Sequence, residues 1–207
     1  MNKKRHIIGI TGGSGSGKTQ IVSALLKKFD PGVVAFISQD NYYLNRDSQP
    51  VDENGIKNFD TLNSIDFNSM SSDIDKMIKG VSIKQKLYTF NNPIVPESWM
   101  EVHPAPIIIL EGLFVLSKTE ILSKIDYKVF IDVPEMQRLR RRIKRDNIER
   151  GYDISDVVYR FDNHVTPAHN NFIEPCKSIA DLIIYNSTSI EKSVEQLFNA
   201  IKMRIDI

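Results

Sequence analysis

The amino-acid sequence predicts an α/β domain built on an open parallel sheet, on three observations. The stretch Gly12-Gly13-Ser14-Gly15-Ser16-Gly17-Lys18-Thr19 matches the phosphate-loop pattern G-x-x-x-x-G-K-[ST] without a mismatch. Its flanks fit a strand-to-helix junction: His6 to Thr11 is short and β-branched, and Gln20 to Phe29 places Ile21, Val22, Ala24, Leu25, Leu26 and Phe29 at helical spacing. Ile107-Ile108-Ile109-Leu110 is an unbroken apolar run, as a strand buried on both faces requires.

A triphosphate needs several donors converging at short range, and the loop glycines let successive N–H groups turn inward with no Cβ in the way. Lys18 supplies a cation for the β- and γ-phosphates. Thr19 opens the following helix, where its hydroxyl suits Mg²⁺ and the helix N-terminus favours an anion. Asp30-Pro31-Gly32 ends that helix.

Further along, Val33 to Ser38 reads as a second buried strand ending at Gln39-Asp40-Asn41-Tyr42-Tyr43. Ligands of open parallel sheets collect at the carboxyl ends of strands, so Asp40 faces the same crevice as the phosphate loop. Leu44 to Lys57 is a polar surface excursion closing at Asn58-Phe59-Asp60, and Asp66 to Lys79 fits a helix stopped by Gly80. Alternation around Leu87-Tyr88-Thr89-Phe90 and Trp99-Met100-Glu101-Val102 predicts a hairpin within 81–103, with Tyr88 and Phe90 on one face. Glu111 ends the central strand beside Thr19 and Asp40, where a buried carboxylate calls for a cation.

Leu113 to Ile125 reads as a crossover helix. Strands follow at Tyr127 to Val133 and Asp181 to Tyr185, and an amphipathic helix runs from Ser189 to Met203. Between those strands, Arg138, Arg140, Arg141, Arg142, Lys144, Arg145 and Arg150 crowd a basic helix within 136–165. Leu139 and Ile143 mark its inner stripe. Arginines closing over a transferring phosphoryl group stabilise its spreading charge, which makes this segment a lid.

At 207 residues, 1–207 suits one domain with a small lid, and 27 basic against 26 acidic residues leave a net charge of +1. Nothing in that balance favours nucleic acid or an anionic membrane. One cysteine, Cys176, forms no internal disulfide, and no apolar run approaches a membrane span, so a cytoplasmic location is expected. The four histidines, His6, His103, His164 and His169, lack metal-ligand spacing.

Together these residues resemble the uridine kinase and phosphoribulokinase family from Ile7 to about Asn186. Beyond the phosphate loop, the likeness includes Ser38-Gln39-Asp40-x-Tyr-Tyr43, Asn58-Phe59-Asp60, Glu111-Gly112, Arg141 to Asp146 with Glu149-Arg150-Gly151, and Val165-x-Pro167 through Phe172-Ile173-Glu174-Pro175-x-Lys177. The resemblance implies a doubly wound, nucleoside monophosphate kinase-like P-loop NTPase sheet, with the basic lid and the hairpin on the substrate side. It also implies ATP and Mg²⁺ as cofactors and transfer of the γ-phosphoryl group to a nucleoside 5′-hydroxyl.

By matched position, Asp40 is the general base, Thr19, Asp40 and Glu111 surround Mg²⁺, and Lys18 holds phosphate. Asp60 and Arg142 take the ribose hydroxyls, Tyr43, Phe59, Tyr88 and Phe90 line the nucleoside pocket, and Arg145 and Arg150 reach the transferring phosphate. The expected partner is a small nucleoside-like molecule, with a homo-oligomer left open.

Departures cluster where the base is recognised. Pyrimidine kinases of the family resemble Tyr-Asp-Phe-x-x-His-x-Arg here, whereas this chain has Pro93 and Val95 in place of the His and Arg. Tyr152 stands where a lid arginine is expected, and Arg160 where a glutamine is expected. Similarity to nicotinamide riboside kinases, through Ile37-Ser38-Gln39-Asp40, Asp52-Glu53-Asn54-Gly55 and Phe59-Asp60, supplies an alternative acceptor. A non-catalytic, ATP-dependent regulatory protein is the alternative from another class. Asp40 speaks against it, since a mere switch needs no base beside an aromatic pocket.

Overall fold

The structure is a computed structural model that describes residues 4–89 and 97–205. In chain order its elements are β1 (His6–Gly12), α1 (Lys18–Leu26), β2 (Val34–Ser38), α2 (Phe67–Ile78), β3 (Ile83–Lys86), β4 (Trp99–Val102), β5 (Ile107–Glu111), α3 (Thr119–Leu122) and β6 (Tyr127–Asp132). There follow α4 (Glu135–Arg150), α5 (Ile154–Arg160), α6 (Thr166–Ala168), β7 (Leu182–Tyr185) and α7 (Ile190–Ile205).

Five strands form a parallel sheet in the order β2-β5-β1-β6-β7. The chain moves outward on one side of β1 and then returns to the other, so the strand order reverses at β1. Such a switch point opens a crevice above the carboxyl ends of the strands. Gly12, Ser38, Glu111 and Asp132, the last residues of β1, β2, β5 and β6, all lie at that edge.

Side-chain alternation on β5 divides the core in two. Ile108 and Leu110 pack with Met70, Ile74, Met77, Phe114 and Phe130 under α2, and Ile107 and Ile109 pack with Ile21, Leu25, Leu197 and Ile201 under α1 and α7. Each fully buried isoleucine or leucine contributes roughly 1.5–3 kcal/mol. Both faces of the sheet are therefore covered, as the unbroken run in β5 predicts.

Two elements differ from the sequence reading. Only Thr119–Leu122 is helical within the predicted helix 113–125. Phe114, Val115 and Leu116 are consecutive and all buried, which a one-faced amphipathic helix does not allow. In the hairpin, the first strand is Ile83–Lys86 rather than the segment around Tyr88, with Ile83 opposite Val102 and Lys86 opposite Trp99. Gln85 takes an inward position there because its Nε2 donates to the Tyr42 hydroxyl at 2.6 Å, so the strand carries no apolar alternation to detect. Phe90 and the replaced positions Pro93 and Val95 lie outside the described residues.

After α5 the chain stays helical through two π turns, Phe161–Val165 and His169–Ile173, on either side of α6. Each adds a residue per turn and re-aims a side chain. Nothing in the hydrophobic spacing announces them.

Candidate functional site

The phosphate loop holds its shape through glycines at positive φ, 82° at Gly15 and 86° at Gly17. A Cβ on Gly15 would stand 2.4 Å from the Arg138 carbonyl oxygen, and one on Gly17 2.6 Å from Asn186 Nδ2. Backbone conformation and space thus both demand glycine. Asn186, at the end of β7, donates from Nδ2 to Ser16 O at 2.8 Å and accepts from Ser193 Oγ at 3.1 Å. That brace was not read from the sequence. Its one signal was a polar residue directly after a strand at the crevice edge.

Lys18 Nζ donates to Gly12 O at 2.8 Å and Gly13 O at 3.1 Å and is buried. Burial lowers its pKa, while the negative fields of Glu111 and Asp40 oppose that shift. The carboxylates respond in the opposite sense. Burial raises Glu111 to about 7, with Asp40 adding to the rise and Lys18 working against it. Asp40 is likewise raised by burial, and Lys18, Arg150 and Arg145 pull it down. The Thr19 hydroxyl stands 3.5 Å from Glu111 Oε1.

A buried acid, Glu111, a half-buried one, Asp40, and the Thr19 hydroxyl beside a phosphate loop form a hard-oxygen donor set that fits Mg²⁺, which takes one or two protein oxygens and completes its shell from phosphate and water. Asp40 is the second residue of a short 3₁₀ turn, Gln39–Tyr42, where its N–H donates to the capping Ser38 Oγ at 3.3 Å.

The basic helix α4 differs from its sequence reading in which side it buries. Leu139 and Ile143 are only half-buried, whereas Arg138 and Asp146 are the buried residues. With Arg142 between them they form an i, i+4, i+8 polar stripe. Arg142 Nη1 donates to Ser14 Oγ at 2.8 Å, and its Nη2 lies 3.7 Å from Asp60 Oδ2.

Asp146 gathers three guanidinium groups: Arg145 Nε at 2.7 Å, Arg142 Nε at 3.2 Å and Arg150 Nη1 at 3.2 Å. Burial alone would raise its pKa, but the Arg145 hydrogen bond and the three cations outweigh burial and lower it. Asp146 therefore sets where these arginines point, a role its position in a basic run concealed. Arg141 turns away, its Nη2 donating to Asn186 O at 2.9 Å.

Near Asp40, aromatic rings converge. Tyr43 meets Tyr88 at 5.0 Å between centroids and Phe59 edge-on at 6.1 Å, with the Arg46 guanidinium 5.9 Å from the Phe59 ring. Burial, with Asp40 and Asp60 nearby, lifts Tyr43 well above its ordinary pKa, so it stays neutral. Tyr88 N donates to Asn41 Oδ1 at 3.1 Å. Arg160 is committed elsewhere: its Nε donates to Asp156 at 2.9 and 3.1 Å and its Nη1 to Lys57 O at 2.9 Å. Its guanidinium also lies 5.9 Å from the Tyr152 ring centroid. Lys18 thus feels Glu111 and Asp40, Arg142 meets Ser14 and Asp60, Asp146 collects Arg145 and Arg150, and Tyr43 meets Phe59 and Tyr88.

The family model "Phosphoribulokinase / Uridine kinase family" matches residues 7–192. A uridine kinase of Bacillus pumilus is 33% identical over 210 residues, covering 100% of both chains. A uridine kinase of Clostridium botulinum is 34% identical over 199 residues, covering 94% of this chain and 97% of its own. Among solved structures, phosphoribulokinase from Rhodobacter spheroides shares the fold with a TM-score of 0.58 at 18% identity, over 87% of this chain and 69% of its own.

Proposed function

Because the chain belongs to the phosphoribulokinase and uridine kinase family, we propose that it is an ATP-dependent nucleoside kinase that phosphorylates the 5′-hydroxyl of uridine or cytidine. The observation that carries this reading is the position of Asp40, close enough to Lys18 of the phosphate loop and to Tyr43 and Tyr88 of the aromatic cluster for their charges to act on one another. Relatives named uridine kinase over the whole chain weigh for a pyrimidine nucleoside over nicotinamide riboside, and for a kinase over a silent regulator.

Gly12 to Thr19 hold the triphosphate of ATP, and Thr19, Glu111 and Asp40 border the Mg²⁺ site. That cation would neutralise charge on the phosphate oxygens as the bond to the leaving group lengthens. Asp60 and Arg142 hold the ribose hydroxyls and direct the 5′-hydroxyl toward Asp40. Asp40 takes the hydroxyl proton while a bond forms from that oxygen to the γ-phosphorus and the bond to the β-phosphate oxygen breaks, releasing ADP. Lys18, Arg145, Arg150 and Arg142 stabilise the charge spread over the transferring group, and Tyr43, Phe59 and Tyr88 exclude water around the nucleoside. Burial raises the Asp40 pKa, which strengthens it as a proton acceptor, while the nearby cations oppose that rise.

The test is ADP release with ATP and Mg²⁺ across uridine, cytidine, adenosine and nicotinamide riboside. Selective stimulation by uridine or cytidine is expected. Stimulation by nicotinamide riboside alone would reassign the acceptor, and silence across the panel with ATP still bound would favour a regulatory protein.

A further inference from the structure

One carboxylate fastens the loop 50–58 to the helical segment that begins at α5. Asp52 Oδ1 accepts the N–H groups of Asn54 at 2.9 Å and Ile56 at 2.8 Å, closing the loop tip on itself. Oδ2 points the other way, accepting from the Tyr159 hydroxyl at 2.9 Å and standing 2.7 Å from His164 Nε2. Asn54 Nδ2 donates to the same hydroxyl at 2.7 Å, and Arg160 Nη1 holds Lys57 O.

His164 is only 2% exposed, packed edge-on to the Tyr159 ring at 6.0 Å. The π turn Phe161–Val165 holds it, and a buried imidazole costs free energy unless bonded, so Asp52 is its natural partner. Asp52 has four such bonds. Although desolvation acts to raise its pKa, those bonds hold it at about 2.

The base of the loop is anchored separately. Gln49 Nε2 donates to Leu44 O at 2.7 Å, Ser64 Oγ donates to Asn58 O at 2.9 Å, and Asn58 N donates to Pro50 O at 2.7 Å. The tip has little apolar burial of its own: Val51, Glu53, Asn54 and Gly55 are exposed. Directed bonds to Asp52 therefore fix its conformation. What the loop delivers is Phe59 and Asp60, the latter with its N–H on Asn58 Oδ1 at 2.9 Å and its carboxylate facing Arg142.

We propose that Asp52, Tyr159 and His164 act as positioning residues, a clasp that sets Phe59 and Asp60 for the acceptor, so that acceptor affinity depends on it and ATP affinity does not. This rests on the reading of Asp60 as an acceptor contact. None of the three side chains belongs to the phosphate loop or to the aromatic cluster.

Steady-state kinetics of Tyr159→Phe, Asp52→Asn, His164→Phe and His164→Gln test the clasp, with each substrate varied in turn. Phenylalanine at 164 keeps the ring and loses the bond, whereas glutamine restores a donor. An increase of about tenfold in acceptor KM is expected for His164→Phe and Asp52→Asn, and about threefold for Tyr159→Phe. KM for ATP should stay within about twofold of the unmodified enzyme, and His164→Gln should recover most of the acceptor affinity. Equal increases in both KM values, or no change in either, would overturn the proposal.

Amide hydrogen exchange without any acceptor separates this from the uridine reading. Faster exchange at Asn54 and Ile56 in His164→Phe is expected, and unchanged exchange would refute the clasp. An unmodified enzyme inactive on uridine and cytidine would refute only the acceptor assignment, and the KM comparison would then use whichever acceptor is phosphorylated.

Discussion

The donor side and the acceptor side of the crevice are held in different ways. Gly12 to Thr19 takes its shape mainly from its own glycines, the strand before it and the helix after it, with Asn186 added as a brace from beyond β7. Phe59 and Asp60 owe their position to partners far along the chain: Asp52 to Tyr159 and His164, Lys57 to Arg160, and Asp60 to Arg142. A local device can be recognised as a pattern, whereas an assembled one exists only once the chain has folded. Asp40, at the seam between the two, is raised in pKa by burial and lowered by cations from the donor side and from α4.

The largest expected effect lies on that seam. Asp40→Asn should lower kcat by about 10²–10⁴-fold while ATP still binds, the mark of a lost general base. Unchanged turnover with uridine would remove Asp40 from the proton transfer.

Asp146→Asn would break the separation between the two sides. It leaves Arg142, Arg145 and Arg150 facing one another without their shared carboxylate, at a cost on the order of 3 kcal/mol in unfolding free energy. Because Arg142 touches both Ser14 and Asp60, KM for ATP and for the acceptor should rise together. A rise confined to one substrate would mean that α4 serves only that side.

Gly17→Ala sharpens the contrast instead. A Cβ at φ 86°, 2.6 Å from Asn186 Nδ2, should cost about 1–3 kcal/mol and weaken ATP binding with acceptor KM unchanged. Isothermal titration with a non-hydrolysable ATP analogue would read this, and full-strength binding would show that the loop shifts without loss.

The smallest effect concerns pH. A carboxyl held at about 2 in the folded state contributes stability that is complete above its unfolded value near 4 and is lost as pH falls through 2. Thermal midpoints of the unmodified protein and Asp52→Asn should therefore converge as pH is lowered from 5 toward 2. A gap that stays constant over that window would mean that the Asp52 bonds do not favour its charged form.

Legibility followed the same division. The strands β1, β2, β5, β6 and β7, the helices α1, α2 and α7, and the acids at the ends of β2 and β5 were all readable, because each has a local signal in apolar runs, caps or turn residues. The segment Leu113 to Ser117 misled because a run of apolar residues reads alike whether it coils or fills a gap between layers. Strand β3 was hidden because Gln85 is buried against Tyr42 rather than against apolar side chains. On α4 the apolar residues suggested one inner face, yet Arg138 is buried with its Nε donating to Val133 O, and Arg142 reaches Ser14 and Asp146, since charged groups that find partners can turn inward.

The sequence by itself determined the α/β class, the phosphate loop and the residue types that crowd the crevice, because these depend on short-range periodicity and on backbone freedom at particular glycines. Tertiary structure alone decided that Asp146 orients three arginines, that Asn186 braces the loop, and that Asp52 meets His164 across 112 positions of chain. Such pairings require desolvated charges and polar groups to be brought within hydrogen-bonding distance by the packing of the whole sheet, and no local pattern encodes a distance between elements that only the fold brings together.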